Sequence, residues 1–183
     1  MINKFTAIRH FVGILLLLTL TACSTMQASD FATKTAKLIP EEYFNGDVQG
    51  VGVFYDRFGD IQTSFVVNLK GTWQPESKIL TLKEDLVYEN NDKLVREYKI
   101  TKVDDNNYVV ETEDFESPGK IQVYGNTMKW QYDLNQQIKD SKILLNFNDW
   151  MHLQPNGVIL NRALASKFGI FVGEVFMSIK KVS

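Results

Sequence analysis

From Val48 to the C-terminus, apolar and polar residues alternate with a period of two, and short turn-forming clusters break the alternation at regular intervals. In "VQGVGVFYD", Val51, Val53 and Tyr55 alternate with Gly50, Gly52 and Phe54. A period of two sends successive side chains to opposite faces of an extended chain, the pattern of a half-buried strand. It recurs in "IQTSFVVNLKGTW", "KILTLKEDLVYE", "KLVREYKITKV", "NYVVETEDF", "KIQVYGNTMKWQYDL", "SKILLNFNDWMHL", "VILNRALASKF" and "IFVGEVFMSIKKV". Between these segments lie Asn90-Asn91-Asp92, Asp104-Asp105-Asn106-Asn107, Ser117-Pro118-Gly119 and Pro155-Asn156-Gly157, residues that favour turns. The pattern predicts about nine strands joined by short turns. Short connections force antiparallel neighbours, because parallel pairs need long crossovers. A meander of this length hides its edges best by closing, so the predicted architecture is an all-β, antiparallel, up-and-down barrel. A sandwich would want longer connections. Gly50 and Gly52, inside a strand, mark an expected bend or bulge.

Residues 1–40 do not follow this pattern. Ser24 to Pro40 is small, polar and irregular, and reads as a tether with a short helix near Asp30 to Leu38; a flexible tether of this length would reach roughly 20–25 Å. Before it, Phe11 to Leu20 is an apolar run broken only by Gly13 and Thr19, behind the positive Lys4 and Arg9. As a helix it would span about 15 Å, half of the roughly 30 Å hydrocarbon core of a bilayer. A positive start, a short apolar run and then small residues describe a secretory signal peptide.

The single cysteine, Cys23, follows that run directly. Disulfides within one chain need cysteines in pairs. The sequence Leu20-Thr21-Ala22-Cys23 resembles the bacterial lipobox. The resemblance implies diacylglyceryl transfer to the Cys23 sulfur, cleavage after Ala22 and acylation of the new amino terminus. Two or more acyl chains hold a bilayer durably where one holds it marginally. By the sorting rule of enterobacterial lipoproteins, Ser24 in place of an aspartate implies the outer membrane, with the domain facing the periplasm. The expected organisation is a signal peptide over residues 1–22, a lipidated tether over 23–40 and a barrel over 41–183.

Composition narrows the function classes. Without Lys4 and Arg9, the chain keeps 18 of its 20 basic residues against 22 acidic ones. No basic stripe is present, so nucleic acid is not an expected partner, and membrane attachment rests on the anchor. Past the signal segment His152 is the only histidine, which excludes a multi-histidine metal site. No phosphate-cradling glycine loop and no nucleophile elbow occurs, so no cofactor or metal is implied. Glu111 and Glu113 share a strand face, as solvated carboxylates do. A lipid-acting enzyme would draw on Asp149, His152 or Arg162.

Large aromatics are the more suggestive signal. Trp73, Trp130, Trp150 and Tyr132 lie in or beside predicted strands, where they either fill a small barrel or line a ligand cavity. Arg57, Arg162 and Lys167 sit among apolar residues and call for partners, with Asp56, Asp149 and Glu174 available. Arg57, Asp149, Lys167 and Glu174 are accordingly expected in structural ion pairs. With the turn between Lys120–Leu134 and Ser141–Leu153 centred near Gln137, Trp130 should face about residue 144 and Trp150 about Gly125-Asn126. Arg162 should pair with about Trp150 across Pro155-Asn156-Gly157. The expected ligand site is Arg162 at an anionic headgroup, with Trp130 and Trp150 flanking the apolar chain.

"YFNGDVQGVGVFYDRFGD", "NDWMHL" and "ILNRALASKFGIFVGEV" together resemble a bacterial lipoprotein family, domain of unknown function 3833. The resemblance runs from about Glu42 to Lys180. It implies a lipocalin-like barrel and a setting beside lipid-modifying proteins such as fatty-acid methyltransferases; it implies no reaction. Where the family pattern is expected to carry two aspartates before the tryptophan, this chain has Asn148-Asp149-Trp150, which weakens any role that needs both acids. The functional expectation is an anchored lipoprotein that binds or shuttles a fatty acid or phospholipid, against a lipid-acting enzyme or a filled, non-catalytic scaffold.

Overall fold

A computed structural model describes residues 25–138 and 141–182. Ten antiparallel strands form a closed barrel: β1 (Gly46–Asp56), β2 (Ile61–Gln74), β3 (Ile79–Tyr88), β4 (Lys93–Lys102), β5 (Asn107–Glu111), β6 (Gly119–Tyr124), β7 (Thr127–Ile138), β8 (Ser141–Leu153), β9 (Val158–Lys167) and β10 (Ile170–Lys181). Each strand pairs with the next, and β10 returns to β1 through a register running from Val48 opposite Lys181 to Asp56 opposite Gly173. The closed antiparallel barrel is the one the alternation predicted, and it is lipocalin-like in kind, as the family resemblance implied.

The strand count differs by one because "KIQVYGNTMKWQYDL" is two strands. Tyr124 pairs with Thr127 across Gly125-Asn126, a two-residue hairpin loop with a glycine at positive φ (54°). A side chain at Gly125 would also collide with the Phe31 carbonyl oxygen, 2.1 Å from an added Cβ. The glycine doublet in β1 does not form the expected bulge. Gly50 and Gly52 pack against Val67 and Phe65, and the register shifts fall later, at Phe54/Tyr55 and at Phe171/Gly173.

Alternation decides what lies inside. One face of β4 presents Leu94, Arg96, Tyr98 and Ile100, and one face of β8 presents Leu145, Phe147, Asp149 and Met151, all inward. The end of the barrel where β1 begins is packed solid. There α1 (Pro40–Tyr43) crosses the opening, and Phe44 and Leu38 are buried with Val48, Leu80, Ile100, Ile159 and Ile179. Full burial of a phenylalanine such as Phe44 contributes about 2–3 kcal/mol. The Tyr43 hydroxyl ties α1 down by donating to the carbonyls of Gly157 (2.8 Å) and Ile179 (3.1 Å). Glu41 accepts from Tyr108 Oη (2.7 Å) and pairs with Lys102.

The segment before α1 lies on the outside of β6–β8. A 3-10 turn at Ala28–Phe31 brings the Phe31 ring to 5.1 Å from His152 and 6.4 Å from Trp150, and Leu38 donates to the Gly125 carbonyl at 2.8 Å. Ala28, Leu38 and Pro40 are buried.

Candidate functional site

Beyond the packed end, the barrel encloses a cavity of about 390 Å³. Its walls are mostly apolar, among them Leu69, Leu82, Leu86, Leu145, Phe147, Ala163 and Val175. A volume of this order falls within the range of small-molecule sites, roughly 300–1,000 Å³. Two clusters of polar side chains interrupt the apolar lining, and Thr63, Tyr88 and Gln136 add single polar groups elsewhere on the wall.

The first centres on Arg96 of β4. Its Nη1 lies 3.3 Å from Glu84 Oε2 of β3, and its Nη2 lies 3.1 Å from Asp114 Oδ2. Nε also donates to Asp114 Oδ2, and Nη1 donates to Tyr98 Oη at 3.2 Å. Tyr98 in turn donates to Glu84 at 2.9 Å. Burial alone would lower the Arg96 pKa, but Tyr98, Glu84 and Asp114 hold it above its ordinary value. Burial, and then the Glu84 charge, push the Tyr98 pKa up. This arginine is a structural one, held between two carboxylates.

The second group joins β7, β8 and β9. Trp130 sits directly opposite Asp149, and Asn161 Nδ2 donates to Asp149 Oδ1 and to the Trp150 carbonyl. Asp149 is only 6 % exposed and has no cationic partner among the described residues. Burial raises its pKa to about 7, against the Asn161 hydrogen bond and with help from Glu84. Burial, and then Asp149, push Tyr132 well above its ordinary pKa. Two buried atoms here have no hydrogen-bond partner, Trp130 Nε1 and Asn161 Oδ1. The Tyr132 ring stacks between Phe115 (4.7 Å) and Phe147 (5.1 Å), which fixes the aromatic wall beside them.

Of the residues expected at the ligand, only Trp130 lines this cavity. The β7–β8 pairs close at Ile138 opposite Ser141, not near Gln137, so Trp130 faces Asp149 and Trp150 faces Lys129. That odd-numbered shift reverses the parity between the strands and sends Trp150 to the outside. There it stacks on His152 (6.2 Å, 10° between planes) beneath Phe31, with Lys129 Nζ 4.9 Å from its ring centroid. Arg162 does pair with Trp150 across β8–β9, but it too faces outward. Its Nε binds Glu174 at 2.8 Å, and its guanidinium lies over Phe176. Arg162 borders a broad groove on the barrel exterior, lined by Val51, Val53, Val66, Leu160 and Phe176.

The expected ion pairs are redistributed in the same way. Glu174 takes Arg162 rather than Arg57 or Lys167. Arg57 stacks on Phe58 (4.6 Å) and Lys167 on Phe168 (5.5 Å), on the turns joining β1–β2 and β9–β10. Among the described residues, no salt bridge involves Arg57, Lys167 or Asp149. Nor do Asp149, His152 and Arg162 converge. Asp149 is inside, His152 bonds Thr127 Oγ1 (2.8 Å) on the outer face, and Arg162 is committed to Glu174. The sequence reading missed Arg96 and Asn161, although both stand at inward parity on otherwise apolar strand faces. Cys23 lies outside the described residues.

The fold and its lined interior place the chain in the class of closed antiparallel barrels with an internal cavity. A model described as "Protein of unknown function (DUF3833)" matches residues 17–181, and the chain belongs to that family. No curated protein matches it. Among solved structures it is similar to an S-type phycobiliprotein lyase, CPES, from Guillardia theta. That likeness has a TM-score of 0.57 at 7 % identity and covers 78 % of this chain and 90 % of that one. It is also similar to a protein of unknown function from the DUF3598 family of Nostoc punctiforme, with a TM-score of 0.54 at 13 % identity, over 80 % of this chain and 50 % of that one. At such identities the likeness is one of fold alone.

Proposed function

We propose that the protein is a lipid-anchored carrier that binds or shuttles an apolar ligand such as a fatty acid or phospholipid in its barrel. The observation that carries this reading is the internal cavity of about 390 Å³, apolar on most sides with two polar clusters on its wall. A filled scaffold would leave no such space, and unpartnered buried polar atoms are costly unless something meets them. A phycobiliprotein lyase among its fold relatives accords with a barrel that serves a small-molecule ligand. The lipobox-like Leu20–Cys23 supports an anchor on the Cys23 sulfur. By the serine after it, the address is the outer membrane, with the barrel facing the periplasm.

Native mass spectrometry of the protein, purified gently from its own host, should show one bound lipid. Ala163→Phe should lose it while the barrel still folds, because Ala163 is a small residue on the cavity wall. A variant that keeps the full complement of lipid would refute the internal site. The address is tested separately. Cys23→Ala should remain uncleaved and lack acyl mass, and a wild-type N-terminus that begins elsewhere without acyl groups would overturn it.

A further inference from the structure

The cavity's polar groups constrain what the ligand presents to them, and this rests on the carrier reading above. The charged residues lining the cavity are Glu84 on β3, Arg96 on β4 and Asp149 on β8; Tyr88, Tyr98 and Tyr132 are the other titratable groups that line it, and β1, β2, β9 and β10 contribute none. Arg96 offers an incoming anion little, because its Nε, Nη1 and Nη2 all engage Glu84, Asp114 or Tyr98. Glu84, Asp114 and Arg96 together carry one net negative charge, and Asp149, which has no cationic partner among the described residues, adds a second when ionised. An anionic headgroup would therefore enter a site that is already negative, at low local dielectric, where like charges repel strongly.

The two unpartnered atoms narrow the choice further. Trp130 Nε1 can only donate. Asn161 Nδ2 is committed to Asp149 and to the Trp150 carbonyl, which fixes the amide so that Oδ1, an acceptor, is left free. Trp130 stands opposite Asp149 in the β7–β8 register, and Asn161 bonds Asp149 from β9, so both residues border the same carboxyl. A carboxylate or a phosphodiester only accepts and leaves Oδ1 unmet. An ammonium only donates and leaves Nε1 unmet. A hydroxyl, a carboxamide or a protonated carboxyl does both.

We propose that the cluster of Trp130, Asp149 and Asn161 selects an acyl ligand whose inserted end is neutral and both donates and accepts hydrogen bonds, and that it rejects the same ligand as an anion. A fatty acid is then bound in its protonated form and released as the pH rises. The rise of the Asp149 pKa to about 7 strengthens the effect, since above that pH the cluster gains its own negative charge.

Twelve-carbon probes test this on the intact protein: dodecanol, dodecanamide, dodecylamine and dodecanoic acid, titrated at pH 5 and pH 8 and followed by tryptophan fluorescence. An ionised acid is held in water by its own hydration, so the decisive quantity is the affinity ratio of acid to alcohol in wild type compared with Asp149→Asn. At pH 8 the expected result is dodecanol and dodecanamide at least tenfold tighter than dodecanoate. Asp149→Asn should raise the acid-to-alcohol ratio at least fivefold, and the variant's advantage should vanish at pH 5. Dodecanoate or dodecylammonium binding tightest at pH 8, or a ratio unmoved by Asp149→Asn, would overturn the proposal and leave the carrier reading intact. Failure of all four probes to bind would instead remove the carrier reading, and this proposal with it.

Discussion

Replacing Asp149 with asparagine should make the protein more stable at neutral pH, the reverse of what deleting a buried hydrogen-bonded group usually does. The carboxyl is buried and has no cationic partner among the described residues, and its pKa rises from 3.8 to about 7 on folding. A raised pKa means that the folded state binds the proton more tightly. The stabilising contribution is therefore complete below about pH 4 and is lost as pH rises towards 7. At about 1.36 kcal/mol per pKa unit, the loss between pH 4 and pH 8 is about 4 kcal/mol. For a domain of this size that corresponds to roughly 10 °C in Tm. The substituted carboxamide keeps the shape and still accepts from Asn161 Nδ2, but it never ionises. Thermal melts of wild type and Asp149→Asn at half-unit steps from pH 4 to pH 8 should converge at the acid end, separate progressively above about pH 4 and run parallel again above about pH 7, with the variant higher. His152 runs in the opposite sense, because burial lowers its pKa and its contribution fades as pH falls below 6.5. Both proteins carry it, so it cancels in the difference. Parallel curves across the range would refute the claim that Asp149 is a buried, uncompensated acid.

Arg96→Ala should cost about 3–5 kcal/mol in urea unfolding, because it strands Glu84 and Asp114 without their cation. Arg162→Ala should cost no more than about 1 kcal/mol, since the Arg162–Glu174 pair is half in solvent; equal losses for the two arginines would contradict the inside and outside assignments. Gly125→Ala should destabilise by about 1–3 kcal/mol through its positive φ. It should also expose residues 25–38 to limited proteolysis, because the added methyl would strike the Phe31 carbonyl; unchanged cleavage would show that the segment is not held there. Phe31→Ala should shift the emission of Trp150 to the red by uncovering its outer face, and loss of that shift in a Trp150→Phe background would confirm its source.

The alternation of apolar and polar positions carried the all-β reading, and short turns carried the antiparallel order and closure. These are local properties: side-chain direction in a strand reverses at every residue, and turn residues announce themselves by type. The same locality let the Pro155-Asn156-Gly157 turn set the Trp150–Arg162 pairing, because its centre is marked in the sequence. Where the marking was weak the reading slipped. "LNQQIKDSK" holds no glycine or proline to locate its turn, and an odd-numbered slip was enough to put Trp150 on the opposite face from Trp130. The Gly125-Asn126 hairpin was legible but was passed over inside a run that otherwise looked continuous.

Tertiary structure alone decided which polar groups meet. Arg96, Glu84 and Asp114 lie on β4, on β3 and before β6, while Asp149 and Asn161 lie on neighbouring strands that carry no mark of their partnership. Parity could place each on an inner face, but strand register sets Glu84 opposite Arg96 and Asn161 diagonal to Asp149, and the path of the chain between β5 and β6 brings Asp114 to Arg96. Whether the interior is filled or hollow is likewise a sum over ten strands, since the space left inside depends on every inward side chain and on where α1 and Phe44 cap the end.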